Sequence, residues 1–349
     1  MTRTSTKTEL GDFLRSRRAR IRPEEAGLTA FGGRRRVPGL RREELAQLAG
    51  VSVDYYTRFE QGRAENVSEA VLGAVAEALR LDATETAHLT RLVRNAGRAG
   101  SRTAAQGAAR DGEEAQRVRP GLRRLLDSMP GTPAFVVGRR TDILAWNPLG
   151  AALLTDFGAL PPERRNKARL VFLDPEVRGR YAGWRAKARD LVAYLRYDLA
   201  LHPHDARFAA LIEELSAHSP EFVELWQEQE VAEKSHGGYH LRHPLVGEFT
   251  VAYESLRLPD DPDQFLIAYT VEAGSPSEAA LRILAAAAAI DGRSGGAGGA
   301  GGAGGGAGAG GGAYAADGDD PAGSAGARRP ERAPAPGRPG GPGPARRGR

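Results

Sequence analysis

The chain has 349 residues and no cysteine, which permits two domains and excludes a disulfide framework, a thiolate metal site and a cysteine nucleophile. No apolar stretch follows Met1, and the longest apolar run, Ile283 to Ile290, is far too short to span a bilayer. The expectation is a cytoplasmic protein with no membrane partner.

The net charge of +5 is unevenly spread. Residues 1–63 carry fourteen Lys or Arg against eight Asp or Glu, whereas residues 120–290 carry nineteen against twenty-three. A basic segment beside a mildly acidic one suits a nucleic-acid module joined to something else. Only four lysines occur against forty-five arginines, a ratio that reads as coding bias. Texture divides the chain into 1–97, dense in helical patterns, a polar linker at 98–117, a second domain at 118–290, and a Gly/Ala/Pro/Arg tail at 291–349. The tail has too few large apolar side chains to offset its ordering entropy and is expected to be disordered.

Five helices are expected in the first domain. The first, about Glu9 to Arg20, places Leu10, Phe13 and Leu14 on one face and ends before Pro23. A basic loop with Arg34, Arg35 and Arg36 follows. The second helix, Arg41 to Ala49, is expected to bury Leu45, Leu48 and Ala49. Gly50 then stands where a tight turn needs positive φ, and Ser52 caps a third helix from Val53 to about Gln61. Helices at 68–79, burying Leu72, Val75 and Leu79, and at 82–94, burying Leu89, Leu92 and Val93, complete the set. A helix, a Gly-containing turn and a capped second helix are the parts of a helix-turn-helix.

The run Arg41-Arg42-Glu43-Glu44-Leu45-Ala46-Gln47-Leu48-Ala49-Gly50-Val51-Ser52, continuing to Phe59-Glu60-Gln61-Gly62-Arg63, resembles the xenobiotic-response-element-type helix-turn-helix family of phage repressors and Cro. The expanded arginine loop departs from the compact phage version. The resemblance implies an all-α, five-helix, lambda-repressor-like domain that binds double-stranded DNA with its third helix in the major groove. Base-facing candidates are Ser52, Val53, Asp54, Tyr55 and Arg58. Arg58 is suited to guanine and Asp54 to a cytosine amino group, although the two also stand at the spacing of an intrahelical ion pair. Arg41, Arg42 and Arg63 are candidates for backbone phosphates, and Arg34, Arg35 and Arg36 for the backbone or minor groove. Tyr56 and Phe59 read as core.

In the second domain a helix at 121–129 precedes strands at 134–137 and 142–146, then Asn147-Pro148 and a helix at 149–155. Helices are expected at 175–201, 205–217 and 219–233, and strands at 238–243, 247–258 and 264–272. The last two alternate apolar and polar residues, as an antiparallel pair with one solvated face does. Helices packed on antiparallel strands make an α+β domain. Segments such as Ile143 to Leu149, Arg164 to Arg178, Ser219 to Trp226 and His243 to Glu254 resemble the MmyB-like ligand-binding domain of actinobacterial regulators, a PAS-like fold. The resemblance implies a cavity for a small apolar or fatty-acid-like molecule. Trp146, Asn147, Trp184 and Tyr253 are the cavity candidates, with Arg196 or His240 to meet a carboxylate.

His236, His240 and His243 stand close in sequence, but Gly237-Gly238 opposes the helix a zinc pair needs, so no metal and no cofactor are expected. A nucleophile elbow, a phosphate loop ending in Lys-Ser/Thr and a dinucleotide fingerprint are all missing, so no catalytic residues are assigned. The reading is a ligand-responsive, homodimeric DNA-binding regulator and not an enzyme. Its alternative is a regulator whose second domain serves only dimerisation or a protein partner.

Overall fold

The computed structural model describes residues 6–28, 39–64, 66–98, 116–233 and 235–295. The arginine loop at 34–36, most of the linker and the tail beyond 295 lie outside the described residues. Among the described residues five helices build the first domain: α1 (Thr6–Arg20), α2 (Arg42–Leu48), α3 (Val53–Glu60), α4 (Glu69–Ala78) and α5 (Ala83–Arg98). Leu10, Phe13 and Leu14 meet Leu45, Tyr56, Phe59, Val75, Leu89 and Leu92 in one buried cluster. Leu48 is a correction: it is 38% exposed, and Ala46 is buried in its place. At about 100° per residue, Leu45, Ala46 and Ala49 form the inward stripe and Leu48 falls outside it. Val93 is only partly buried, because α5 turns its Leu89 and Leu92 inward instead.

The second domain holds α6 (Pro120–Asp127), β1 (Ala134–Val137), β2 (Ile143–Trp146), α7 (Pro148–Leu154), α8 (Lys167–Leu173), α9 (Pro175–Arg180), α10 (Trp184–Leu201), α11 (Ala206–His218), α12 (Pro220–Gln227), β3 (His236–His243), β4 (Gly247–Arg257), β5 (Phe265–Thr270) and α13 (Pro276–Gly295). The strands form one five-stranded antiparallel sheet in the order β2-β1-β5-β4-β3. This is the α+β architecture expected. Strand β4 alternates buried Phe249, Val251 and Tyr253 with exposed neighbours, so one face meets the helices.

The helices differ from expectation in two places. The single helix expected at 175–201 is two helices, because Tyr181 pairs with Leu241 and the Ala182 N–H donates to His240 O at 3.0 Å. The helix expected at 219–233 stops at Gln227, and Gln229 turns the chain with φ 58°. Helices α8 and α13 were not anticipated. Asn166 starts α8, its side chain accepting from the N–H groups of Ala168 and Arg169.

Candidate nucleic-acid interface and ligand cavity

The turn before α3 is built from Gly50, at φ 64°, and Ser52, whose Oγ accepts from the Tyr55 N–H at 3.1 Å. Tyr56 and Phe59 point into the core and are buried. The same rotation leaves Ser52, Val53, Asp54 and Arg58 exposed and Tyr55 half-buried. Among the described residues no ion pair joins Asp54 to Arg58, so the two side chains project separately from the outer face. Arg63 is exposed beyond Gly62, which closes α3 at φ 65°. A Cβ at Gly62 would lie 2.8 Å from the Lys7 side chain, so glycine is required there for space as well.

The two arginines opening α2 differ in setting. Arg41 is half-buried and precedes the first turn, its N–H donating to Glu44 Oε2 at 2.7 Å. Arg42 is tied inward: its Nε and Nη2 donate to Glu60 Oε1 at 3.0 and 2.8 Å. Arg18 of α1 donates to the other oxygen of Glu60 at 3.1 Å and to Leu40 O at 2.7 Å. Glu60 is fully buried, so one carboxylate fixes the mutual orientation of α1, α2 and α3. Sequence reasoning missed Glu60 and Arg18 as organisers, since their partners lie 42 and 18 positions away.

The helix-covered face of the sheet carries a partly open cavity of about 70 Å³, lined among others by Lys167, Lys187, Tyr194, Tyr239, Tyr253 and Tyr269. A much smaller space of about 10 Å³ adjoins it, sharing Val137 and Lys167 and walled by Phe135, Ile143, Leu154 and Val171. The Lys187 side chain is buried, with Nζ 3.2 Å from Tyr239 Oη and 4.5 Å above that ring. Burial pushes the Tyr239, Tyr181 and Tyr269 hydroxyls above their usual range, so they remain protonated donors at neutral pH. Two of the chain's four lysines thus line this one cavity.

Of the six cavity candidates, Tyr253 lies in the cavity wall, stacked on Tyr239 at 5.1 Å. Trp146 packs on Phe157, with the Arg165 guanidinium 5.3 Å from its ring. Asn147 is a fully buried junction: Oδ1 accepts from Ala134 and Gly150, and Nδ2 donates to Met129 O and Thr132 O. Trp184 opens α10 and donates to Val171 O at 2.8 Å. Arg196 faces away from the cavity, between Trp226 and Glu9 of α1. His240 is exposed beside Glu248 at 3.5 Å. Trp146, Asn147, Trp184, Arg196 and His240 therefore do not line the cavity; α10 turns Arg196 toward the first domain, and β3 turns His240 to solvent. His236 and His240 share the exposed face of β3, while His243 turns inward to Ala152 O at 3.0 Å. Among the described residues no group of three or more His, Asp or Glu is placed to hold a metal, and no helix is long and apolar enough to cross a membrane.

A capped helix with an exposed polar outer face, set in a five-helix core and joined to an α+β domain with an interior cavity, defines a helix-turn-helix transcription regulator. Two family profiles match the chain. Residues 9–89 match the helix-turn-helix domain, and residues 118–284 match the MmyB-like transcription regulator ligand binding domain. The chain carries both domains, which together support a DNA-binding, ligand-responsive regulator. A comparison with curated proteins returns no match.

Proposed function

We propose that the protein binds double-stranded DNA sequence-specifically as a cytoplasmic homodimer and that residues 118–290 sense a small amphiphile with an apolar, fatty-acid-like body. The cavity carries this reading. Buried lysine beside neutral tyrosine hydroxyls matches a carboxylate, and the apolar walls next to it, among them Phe135, Ile143 and Leu154, would part to take an acyl chain. In a chain whose composition favours arginine so strongly, lysines at both Lys167 and Lys187 supply compact cations where a guanidinium fork would overfill the space. On DNA, two copies of α3 would enter successive major grooves about one helical turn apart. Arg58 would read a base, and Arg41 and Arg63 would position the backbone.

Titration of the full chain with decanoate, followed by calorimetry and thermal melting, tests the ligand class. We expect saturable binding that raises the melting temperature, and at least a tenfold loss of affinity in Lys187→Met. Binding at no concentration below the detergent-like range, or binding unchanged in Lys187→Met and Lys167→Met alike, refutes the sensor reading. The domain would then serve only dimerisation or a protein partner.

A further inference from the structure

We propose that helix α10 transmits the state of the cavity to the DNA-binding domain through a buried seam between the two domains. The inference rests on the proposed function only in taking the cavity as the origin of the signal.

Two adjacent faces of α10 do different things. Lys187, Asp190, Leu191 and Tyr194 line the cavity. Arg196, Tyr197 and Ala200 are buried on the neighbouring face, and Tyr197 and Ala200 share one apolar cluster with Leu10, Phe13, Leu89 and Leu92 of the DNA-binding domain. Polar contacts fix the same seam. Asn95 of α5 donates to Ala200 O at 2.9 Å, and the Arg91 guanidinium sits 4.7 Å above the Tyr197 ring. Arg17 of α1 donates to Gln229 O at 2.8 Å, and Arg20 meets Glu230 at 2.6 Å. The stretch holding Gln229 and Glu230 is itself fastened to α10, with the Ala232 N–H donating to Ala193 O at 3.3 Å.

Tyr194 belongs to both sides. Its ring lines the cavity, meets Phe265 edge-on at 5.8 Å and lies 6.3 Å from the Tyr197 ring. An occupant that displaces Tyr194 must therefore move Tyr197 or open the seam, because packed interiors shift between discrete arrangements and do not deform smoothly. A second connection runs through the turn at Arg139–Thr141. Thr141 lines the cavity, and both Arg140 and Thr141 hold positive φ, 59° and 65°, without being glycine. That costly backbone is held by the Arg140 N–H donating to Asp198 Oδ2 on α10 at 2.7 Å, one residue beyond Tyr197. The exposed face of α3 takes no part in the seam, so transmission alters how the reading helix is carried and leaves its surface free.

The test uses the full chain with Ser255→Phe, a cavity-wall substitution that fills the space without any ligand. Amide exchange of the α5 peptides and affinity for a duplex site that the wild-type chain selects from random DNA are measured. We expect at least a threefold change in α5 exchange rates and a fivefold change in affinity. Adding Tyr197→Ala should confine the exchange change to residues 118–295, and Tyr197→Phe, which keeps the ring under Arg91, should restore transmission. Should Ser255→Phe fail to fold, Ile267→Phe fills the same cavity from β5. The proposal is overturned if α5 and DNA affinity do not respond, or if the response survives Tyr197→Ala. Failure of decanoate to bind would sink the ligand class and leave this result standing, since the substitution replaces the ligand.

Discussion

His88 of α5 gives the structure a measurable pH signature at the seam. Its ring is fully buried, edge-on to Phe13 at 5.0 Å, and neither ring nitrogen has a hydrogen-bond partner among the described residues. Burial, reinforced by the charges of Arg196, Arg91 and Arg17, lowers its pKa from 6.5 to about 3. A depressed folded pKa contributes stability that is present above 6.5 and lost as pH falls toward 3, since the unfolded chain takes up the proton first. At pH 5 the unfolded histidine is favoured by about 2 kcal/mol relative to its neutral form. Asp198 acts in the opposite direction. Burial raises its carboxyl to about 6, so its contribution is fully present below about 3.8 and lost as pH rises through 6. Between pH 7 and 5 that carboxyl returns roughly 1 kcal/mol, masking part of the histidine effect in the wild-type chain. His88→Leu removes only the histidine contribution. Urea unfolding of both proteins at pH 7 and pH 5, followed by circular dichroism, should show the variant gaining about 2 kcal/mol on the wild type over that interval. A variant-minus-wild-type difference equal at the two pH values, within about 0.5 kcal/mol, refutes the burial argument.

Other outcomes follow from the site geometry. Asn147→Ala strands two buried N–H groups and two carbonyls and should cost about 2–4 kcal/mol in urea unfolding, with DNA affinity intact wherever the chain stays folded. Glu60→Gln leaves Arg18 and Arg42 without their shared carboxylate and should cost about 3 kcal/mol, measurable as a lowered unfolding midpoint. Arg58→Ala should lose about 1–3 kcal/mol on the preferred base pair and nearly nothing on random duplexes, tested by affinities across singly substituted sites. Arg42→Ala should lower stability together with DNA affinity, so a variant that loses affinity at unchanged stability would show the Glu60 contact to be incidental.

How much of this was legible in the sequence depended on how local each cause is. The recognition helix was legible because Gly50, Ser52 and Gly62 act within a few residues of themselves, and Tyr56 and Phe59 repeat at helical spacing. The alternation of β4 was legible for the same reason. The strand order and the break at Tyr181 were not, since β1 pairs with β5 about 130 positions on and Tyr181 pairs with Leu241, 60 positions on. The cavity was the least legible feature. Its cationic residues, Lys167 and Lys187, stand on two helices whose inward faces are set by packing, whereas Arg196 and His240 carry the same chemistry on faces that turn away. A carboxylate-binding role cannot be assigned from residue type until the rotation of α10 is known.

That rotation also explains why Arg196 matters despite missing the cavity. A guanidinium that is 1% exposed is costly to bury, and burial lowers its pKa to about 10. It is retained with its face on the Trp226 ring at 4.1 Å and Glu9 at 3.6 Å, one residue before Tyr197. Glu9 is itself pushed upward by burial, with Arg196 opposing the shift. The pair therefore spans the two domains: neither charge finds a comparable partner once the seam opens, and both regain water instead. An interface built this way opens at a smaller net cost than a wholly apolar one, because rehydration of the charges offsets part of the lost contact. Such a balance suits a junction that has to exchange between arrangements, with the apolar Tyr197 contact setting register and the buried ion pair limiting how tightly the domains are locked.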